Sequence, residues 1–200
     1  MYFAYGGFSK NFARSNVRPN GQRWVPSDTL GLMPMNGLPT WTEASYGTAS
    51  VVQLLSKWVQ AELGAEAGMP FTAMSLNAGY AAKRHRDGKN EGPSAIAALG
   101  NYSGGELRSW KRDDGKTQLE QLQEVDSVTL DVQNKAAIFD GTQAHEVMEF
   151  QGERFSIVLF VCSKYELTSQ EVREQAEQGY GFSVPGCLEV NKARSRLSTG

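Results

Sequence analysis

Histidine is the scarcest chemistry-bearing residue of this chain, present twice in 200 residues, as His85 and His145. Cysteine is as rare. Cys162 and Cys187 form no CxxC pair, which removes zinc ribbons, thioredoxin-like redox motifs and disulfide scaffolds from the possible readings. Cys162 lies inside the apolar run FSIVLFVC and reads as a buried thiol. No apolar run approaches the roughly 18 residues that a bilayer crossing needs, so no membrane partner is expected. The start MYFAYGGFSK lacks the charged head and long apolar stretch of a secretory signal. Together these absences point to a reducing, intracellular compartment, nucleus or cytoplasm. Hydrophobic content of 40% and charged content of 21% are ordinary, so one globular domain with its own core is expected over residues 1–200.

A net charge of -2 hides a segregation. Residues 1–24 carry Lys10, Arg14, Arg18 and Arg23 and no acid; residues 186–200 carry Lys192, Arg194 and Arg196 against Glu189. Basic ends on an acidic body fit either a nucleic-acid contact or solvated tails. Residues 1–24 also interleave aromatics, Tyr2, Phe3, Tyr5, Phe8, Phe12 and Trp24, with the basic groups. That mixture suits a surface that tracks a backbone and stacks on bases, and it equally suits packing beneath a sheet.

Residues 1–47, rich in Gly, Pro and Asn, show no clean period and read as an ordered but irregular arm. From Thr48, TASVVQLLSKWVQAELG places Val51, Leu55, Trp58 and Val59 on one face, which predicts a packing helix over 48–64. Eight short strand-like segments follow between 71 and 163: FTAMSLNAGY, KRHRD, SAIAALG, GELRSW, SVTLDV, KAAIFD, HEVMEF and FSIVLFV. GKNEGP, SGG, DDGK and DG punctuate them as turns. The pattern predicts a mainly β fold, a sandwich or jelly roll with flanking helices. A C-terminal helix and tail are expected over 168–200, with Thr168 and Glu171 at capping-box spacing.

Taken as extended chain, KRHRD puts His85 and Asp87 on one face, about 7 Å apart, with Arg86 opposite. If His145, which leads HEVMEF, lies across from them in a double sheet, two imidazoles and one carboxylate converge. That is the facial triad of non-haem Fe(II) sites, with open coordination positions. An HxD pair by itself also serves as plain surface polarity. A third signal is GERFSIVLFVC, where Arg154 and Ser156 share a strand face with Val158, Phe160 and Cys162. An arginine entering an apolar strand needs a partner, and its planar fork suits a carboxylate, whether of a ligand or of a neighbouring acid.

With HxD, a distant His and Arg-x-Ser in this order, the chain resembles the 2-oxoglutarate/Fe(II)-dependent dioxygenases over roughly residues 71–163. The resemblance implies a double-stranded β-helix, Fe(II) on His85, Asp87 and His145, and 2-oxoglutarate and O2 as co-substrates. It places the distal carboxylate of 2-oxoglutarate on Arg154, assisted by Ser156, with Tyr80 and Tyr102 as further candidate donors. HRDGKNEGPSAIAAL, of the form HxDxxN, is similar to the TET/JBP group, which oxidises methyl groups of bases in nucleic acid. That likeness implies substrate contacts by Asn90, by Phe160 stacked on a flipped base, and at Cys162, where the animal enzymes carry a histidine. The zinc-binding cysteines of those enzymes are absent here. The implied partner is nucleic acid containing methylated bases such as 5-methylcytosine, with Lys83, Arg84, Arg86 and Lys89 near the phosphates. As residues alone, Asn90 also suits a turn and Phe160 a core. Two alternatives stay open: a protein prolyl or other side-chain hydroxylase with the same triad, and a non-catalytic β-helix binding module.

Overall fold

The apolar run FSIVLFVC becomes the strand around which the molecule is organised. In the computed structural model, which describes residues 7–64 and 68–185, it pairs antiparallel along both edges. The strands are β1 (Lys10–Asn11), β2 (Val25–Met35), β3 (Leu38–Trp41), β4 (Ala73–Ala78), β5 (Asn90–Leu99), β6 (Tyr102–Gly104), β7 (Leu107–Ser109), β8 (Val128–Leu130), β9 (Ala136–Phe139), β10 (His145–Val147), β11 (Phe150–Gly152) and β12 (Phe155–Cys162). The major sheet runs β1-β2-β4-β12-β5-β9, with β3 paired to β2. A minor sheet runs β10-β7-β8, and β11 pairs with β6.

Alternation along β12 separates two environments. Ile157 and Leu159 point to one side, where they are sealed against Leu30, Met74, Leu76, Ala95 and Ala97. Helix α1 (Ala49–Leu63) covers this cluster with Val52, Leu55 and Val59; of the stripe read from the sequence Leu55 and Val59 are buried, while Val51 and Trp58 are half-buried and Val52 takes the sealed position instead. Each such aliphatic side chain contributes about 1.5–3 kcal/mol on burial. Ser156, Val158 and Phe160 point the other way, toward the minor sheet. There Ile96 and Val158 of the major sheet pack with Leu107, Val147 and Phe150. This is two antiparallel sheets face to face, the mainly β architecture that the turn spacing predicts.

Three expectations are corrected. Residues 1–47 are not all irregular: VPSDTLGLMPM forms β2, inside the major sheet between β1 and β4. Its Gly, two Pro and polar residues mimic a loop. The polar side chains are nonetheless satisfied across the sheet, Ser27 by Asn77 at 2.8 Å and Thr29 by Ser75 at 3.2 Å. KRHRD is not a laddered strand; it is extended chain pinned by a single bridge between His85 and His145. The C-terminal helix is α2 (Gln170–Glu174), prolonged by a wider turn over Gln175–Tyr180. Its cap is Ser169, whose Oγ accepts the Val172 amide, because Thr168 already closes the preceding turn. The tail 186–200 with Cys187, and Tyr2, Phe3 and Tyr5, lie outside the described residues. Among the described residues no helix is long and apolar enough to cross a membrane.

Candidate metal centre and its cavity

His85 and His145 exchange both backbone hydrogen bonds, at 2.9 and 3.0 Å, so the two rings stand side by side with centroids 4.2 Å apart. Asp87 is fixed two residues on, where its amide donates to the Gly141 carbonyl at 2.8 Å. The three side chains converge. Nε2 of His85 lies 3.6 Å from Asp87 Oδ1, and Nε2 of His145 lies 3.8 Å from Asp87 Oδ2. One ligand atom from each residue falls within 4.8 Å of the others.

The backbone sets the chemistry of both rings. Nδ1 of His85 sits 2.6 Å from the Lys83 carbonyl and Nδ1 of His145 sits 2.9 Å from the Gln143 carbonyl. A carbonyl only accepts, so Nδ1 carries the proton and Nε2 presents a lone pair toward Asp87. This is the tautomer and orientation that a metal-binding imidazole needs, held by the outer hydrogen bond that typically accompanies ligation. Burial, reinforced by the neighbouring His145 and opposed by Asp87, pushes His85 down to about 4, so the ring is neutral at physiological pH. Phe139 packs edge-on to His145, with centroids 4.9 Å apart. The donor set, two neutral imidazoles and one carboxylate, fits Fe(II) with coordination positions to spare.

The triad opens into a cavity of about 690 Å³ between the two sheets. Arg154 enters the same cavity from the start of β12. It is only 3% exposed, and among the described residues no carboxylate pairs with it. Nε donates to the Gly105 carbonyl at 3.2 Å, while Nη2 is sealed from solvent and completes no hydrogen bond. Burial lowers its proton affinity below the usual arginine range. Gly105 is required here: at φ +75°, a Cβ would stand 2.9 Å from both Cδ and Nε of Arg154. A guanidinium so buried and underpaired calls for an anion in the cavity.

Of the other residues singled out in the sequence, Ser156, Tyr80, Asn90 and Phe160 line the cavity. The Ser156 hydroxyl accepts from Asn77 Nδ2 at 3.3 Å, and the Tyr80 hydroxyl donates to Asn77 Oδ1 at 2.8 Å. Asn90 donates to Asp87 Oδ2 at 3.3 Å, so its amide helps hold the metal-site carboxylate. Two positions differ from expectation. Tyr102 packs against Arg154, its ring 5.6 Å from Cζ, and stays out of the cavity lining. Cys162 is also absent from the lining: it is sealed among Leu32, Val161 and Tyr165, past a register irregularity between Leu159 and Val161. Burial raises its thiol.

The basic residues near HxD are largely engaged. Arg84 stacks on Trp110 and bonds Glu146 and two backbone carbonyls. Arg86 is held by Asp113. Among the described residues Lys83 and Lys89 form no ion pair; Lys89 lines the cavity, whereas Lys83 lies outside the lining and reaches toward Asn20 at 3.4 Å. The sequence reading missed Asn77, Arg14 and Asp113. A lone asparagine inside the apolar strand AMSLNA was the available signal for the first.

Comparison with family models and with curated proteins finds no match. Solved structures do match. One is an oxidoreductase of the 2OG-Fe(II) oxygenase family from Burkholderia pseudomallei, 16% identical over 74% of each chain, with a TM-score of 0.50. A prolyl-4-hydroxylase from Pseudomonas putida, 17% identical over 72% of this chain and 76% of that one, overlays loosely, with a TM-score of 0.35. The first likeness defines the fold class, the jelly-roll or double-stranded β-helix type that such an oxygenase adopts.

Proposed function

We propose that this chain is a 2-oxoglutarate- and Fe(II)-dependent dioxygenase. The observation that carries the reading is the pairing, in one cavity, of a His-Asp-His cluster with a buried guanidinium that forms no ion pair with an acid among the described residues. His85, Asp87 and His145 would hold the iron. Arg154 takes the distal carboxylate of 2-oxoglutarate through its fork, and the Ser156 hydroxyl lies two positions along on the same strand face. The bound iron supplies the dioxygen-dependent oxidation that couples decarboxylation of the co-substrate to oxidation of the substrate. The protein orients the partners and keeps water out. Ile96, Leu107, Val147 and Val158 give the cavity an apolar wall. Phe139 restrains the His145 ring.

For the oxidised substrate we propose a methylated base, such as 5-methylcytosine in nucleic acid, turned out of its stack into the cavity. Support comes from Phe160 as a flat apolar surface and from Asn90 and Lys89 as polar and cationic groups lining the same cavity. The test is anaerobic titration of 2-oxoglutarate into the iron-loaded protein, followed through its charge-transfer absorption, and then turnover with succinate quantified. His85→Ala, Asp87→Ala and His145→Ala should each abolish turnover and weaken metal binding, because each removes one of three ligands. Arg154→Ala should bind metal but need far more 2-oxoglutarate, and Arg154→Lys should recover only part. Wild-type turnover in any ligand variant overturns the assignment. Nucleoside mass spectrometry after incubation with methylated DNA tests the base, and hydroxylation of a peptide with DNA untouched would overturn that part alone.

A further inference from the structure

We infer that Arg14, contributed by the segment between β1 and β2, is a positioning residue for the co-substrate end of the cavity. It sets the direction of a hydrogen-bond chain that ends on Ser156. The inference rests on the co-substrate reading above and adds a residue to it.

Three donors converge on one amide oxygen. Arg14 Nη1 at 3.0 Å, Ser27 Oγ at 2.8 Å and the Tyr80 hydroxyl at 2.8 Å all point at Asn77 Oδ1. Arg14 Nη1 also donates to Ser27 Oγ at 3.0 Å, so the Ser27 hydroxyl accepts from the arginine and passes its own proton on to Asn77. With Oδ1 so occupied, the amide nitrogen faces the other way and donates to Ser156 Oγ at 3.3 Å. Ser156 is therefore an acceptor in this chain. Its own proton has no acceptor among the described residues and is left for the cavity, which Ser156 lines together with Arg154. A carboxylate there meets a hydroxyl donor and a guanidinium donor at once.

Arg14 dictates this polarity because it alone cannot be inverted. Serine and tyrosine hydroxyls both donate and accept, so Ser27 and Tyr80 would tolerate a flipped Asn77 amide. A guanidinium only donates. Its two bonds hold Oδ1 toward the arm and Nδ2 toward Ser156, and the charge strengthens them. Without Arg14 the amide is free to turn, Ser156 donates to Oδ1 instead, and its proton is withdrawn from the cavity.

The experiment is calorimetric titration of 2-oxoglutarate into Mn(II)-loaded protein, with Mn(II) affinity and melting temperature recorded for every variant. Arg14→Ala should weaken 2-oxoglutarate roughly tenfold, the equivalent of one lost hydrogen bond, with Mn(II) affinity unchanged. Arg14→Lys, again a pure donor, should restore most of it. Ser156→Ala should weaken binding similarly, and Arg14→Ala should add nothing further in the Ser156→Ala background, because the two act along one chain. Wild-type affinity in a folded Arg14→Ala protein overturns the inference, as does full additivity with Ser156→Ala. If Arg154→Ala loses 2-oxoglutarate while Arg14→Ala keeps it, the inference fails and the co-substrate reading stands. If the wild type does not bind 2-oxoglutarate at all, both fall.

Discussion

Arg86 and Asp113 meet in a two-point ion pair that joins the HxD segment to the turn after β7. Nε reaches Oδ2 and Nη2 reaches Oδ1, both at 2.6 Å. The Asp113 side chain is fully buried, and its Oδ2 also accepts the Ala144 amide at 2.7 Å. Arg86 stands between His85 and Asp87, and Ala144 immediately precedes His145. One carboxylate thus ties the HxD segment to the start of β10. Burial works to raise that carboxyl, but Arg86 and the amides of Ala144 and Gly115 outweigh it and hold it below the usual carboxylate range.

Asp113→Ala should therefore cost on the order of 1–3 kcal/mol in stability, since it leaves the Ala144 amide buried without an acceptor and removes the carboxylate partner of the partly exposed Arg86. Asp113→Asn keeps an acceptor for Ala144 and should cost less. It should still weaken metal binding, by roughly tenfold, the low end for groups that orient metal ligands. Urea unfolding and Co(II) titration of the same preparations check both. Wild-type metal affinity in Asp113→Asn would show that the ligand segments hold their places without the charge pair.

The depressed His85 makes a prediction about acid. In the metal-free protein its folded-state pKa is about 4, against 6.5 for an ordinary histidine. Between these values the unfolded chain binds the extra proton and the folded one does not. Stability is thus fully present above about pH 6.5 and falls as pH drops toward 4, by up to about 3 kcal/mol. Chemical denaturation in the presence of chelator at pH 7.0 and pH 5.0 should show the loss, and His85→Gln should flatten it. A wild-type curve as flat as that of His85→Gln would mean that His85 is not held neutral.

Gly141 sits against the metal site with little room. A Cβ there would stand 3.0 Å from Ser94 Oγ, 3.1 Å from Asn90 Nδ2 and 3.6 Å from Asp87 Oδ2. Gly141→Ala should push the Asn90 amide off Asp87 and so weaken metal binding several-fold, with only a modest fall in melting temperature. Asn90→Ala, which removes the same hydrogen bond, should match it in a Mn(II) titration. Unequal losses would assign Asn90 a duty other than support of Asp87.

How much of this was legible in the sequence depends on the range of each interaction. His85, Asp87 and His145 could be found because alternation in extended chain puts i and i+2 on one face, whether the chain is laddered or pinned by a single bridge. Arg154 stood out as a charge opening an apolar strand. Asp113 did not: in DDGK it looks like turn punctuation, and its partner lies 27 residues away. Arg14 lies 63 residues from Asn77, in an arm with no period to assign it a face. Cys162 is misjudged by alternation alone because a shared strand face is not a shared cavity: Phe160 lines the cavity, whereas Cys162, at the end of β12, packs with Leu32, Val161 and Tyr165. β2 was hidden because strand polarity is judged against an assumed watery face. In this fold that face looks into the cavity, where Ser27, Ser75 and Asn77 bond to one another or to their neighbours.

Phe160 offers the cleanest test of the proposed base. Asn90 touches Asp87, so its variants disturb the metal as well as any substrate. Phe160 is a wall of the cavity, 6% exposed, with no hydrogen bond of its side chain to disturb. Phe160→Leu keeps most of the buried volume and removes the flat face; Phe160→Tyr keeps the face. Metal and 2-oxoglutarate binding should be near wild type in both, and succinate should still form slowly without substrate. If a base stacks on this ring, Phe160→Leu should lose about 1–3 kcal/mol of binding to a methylated oligonucleotide, a factor of five to more than a hundred, while Phe160→Tyr holds most of it. Melting curves taken beside the binding isotherms separate this from loss of core packing. Equal affinity of Phe160→Leu and wild type for the methylated strand would remove base stacking from the account.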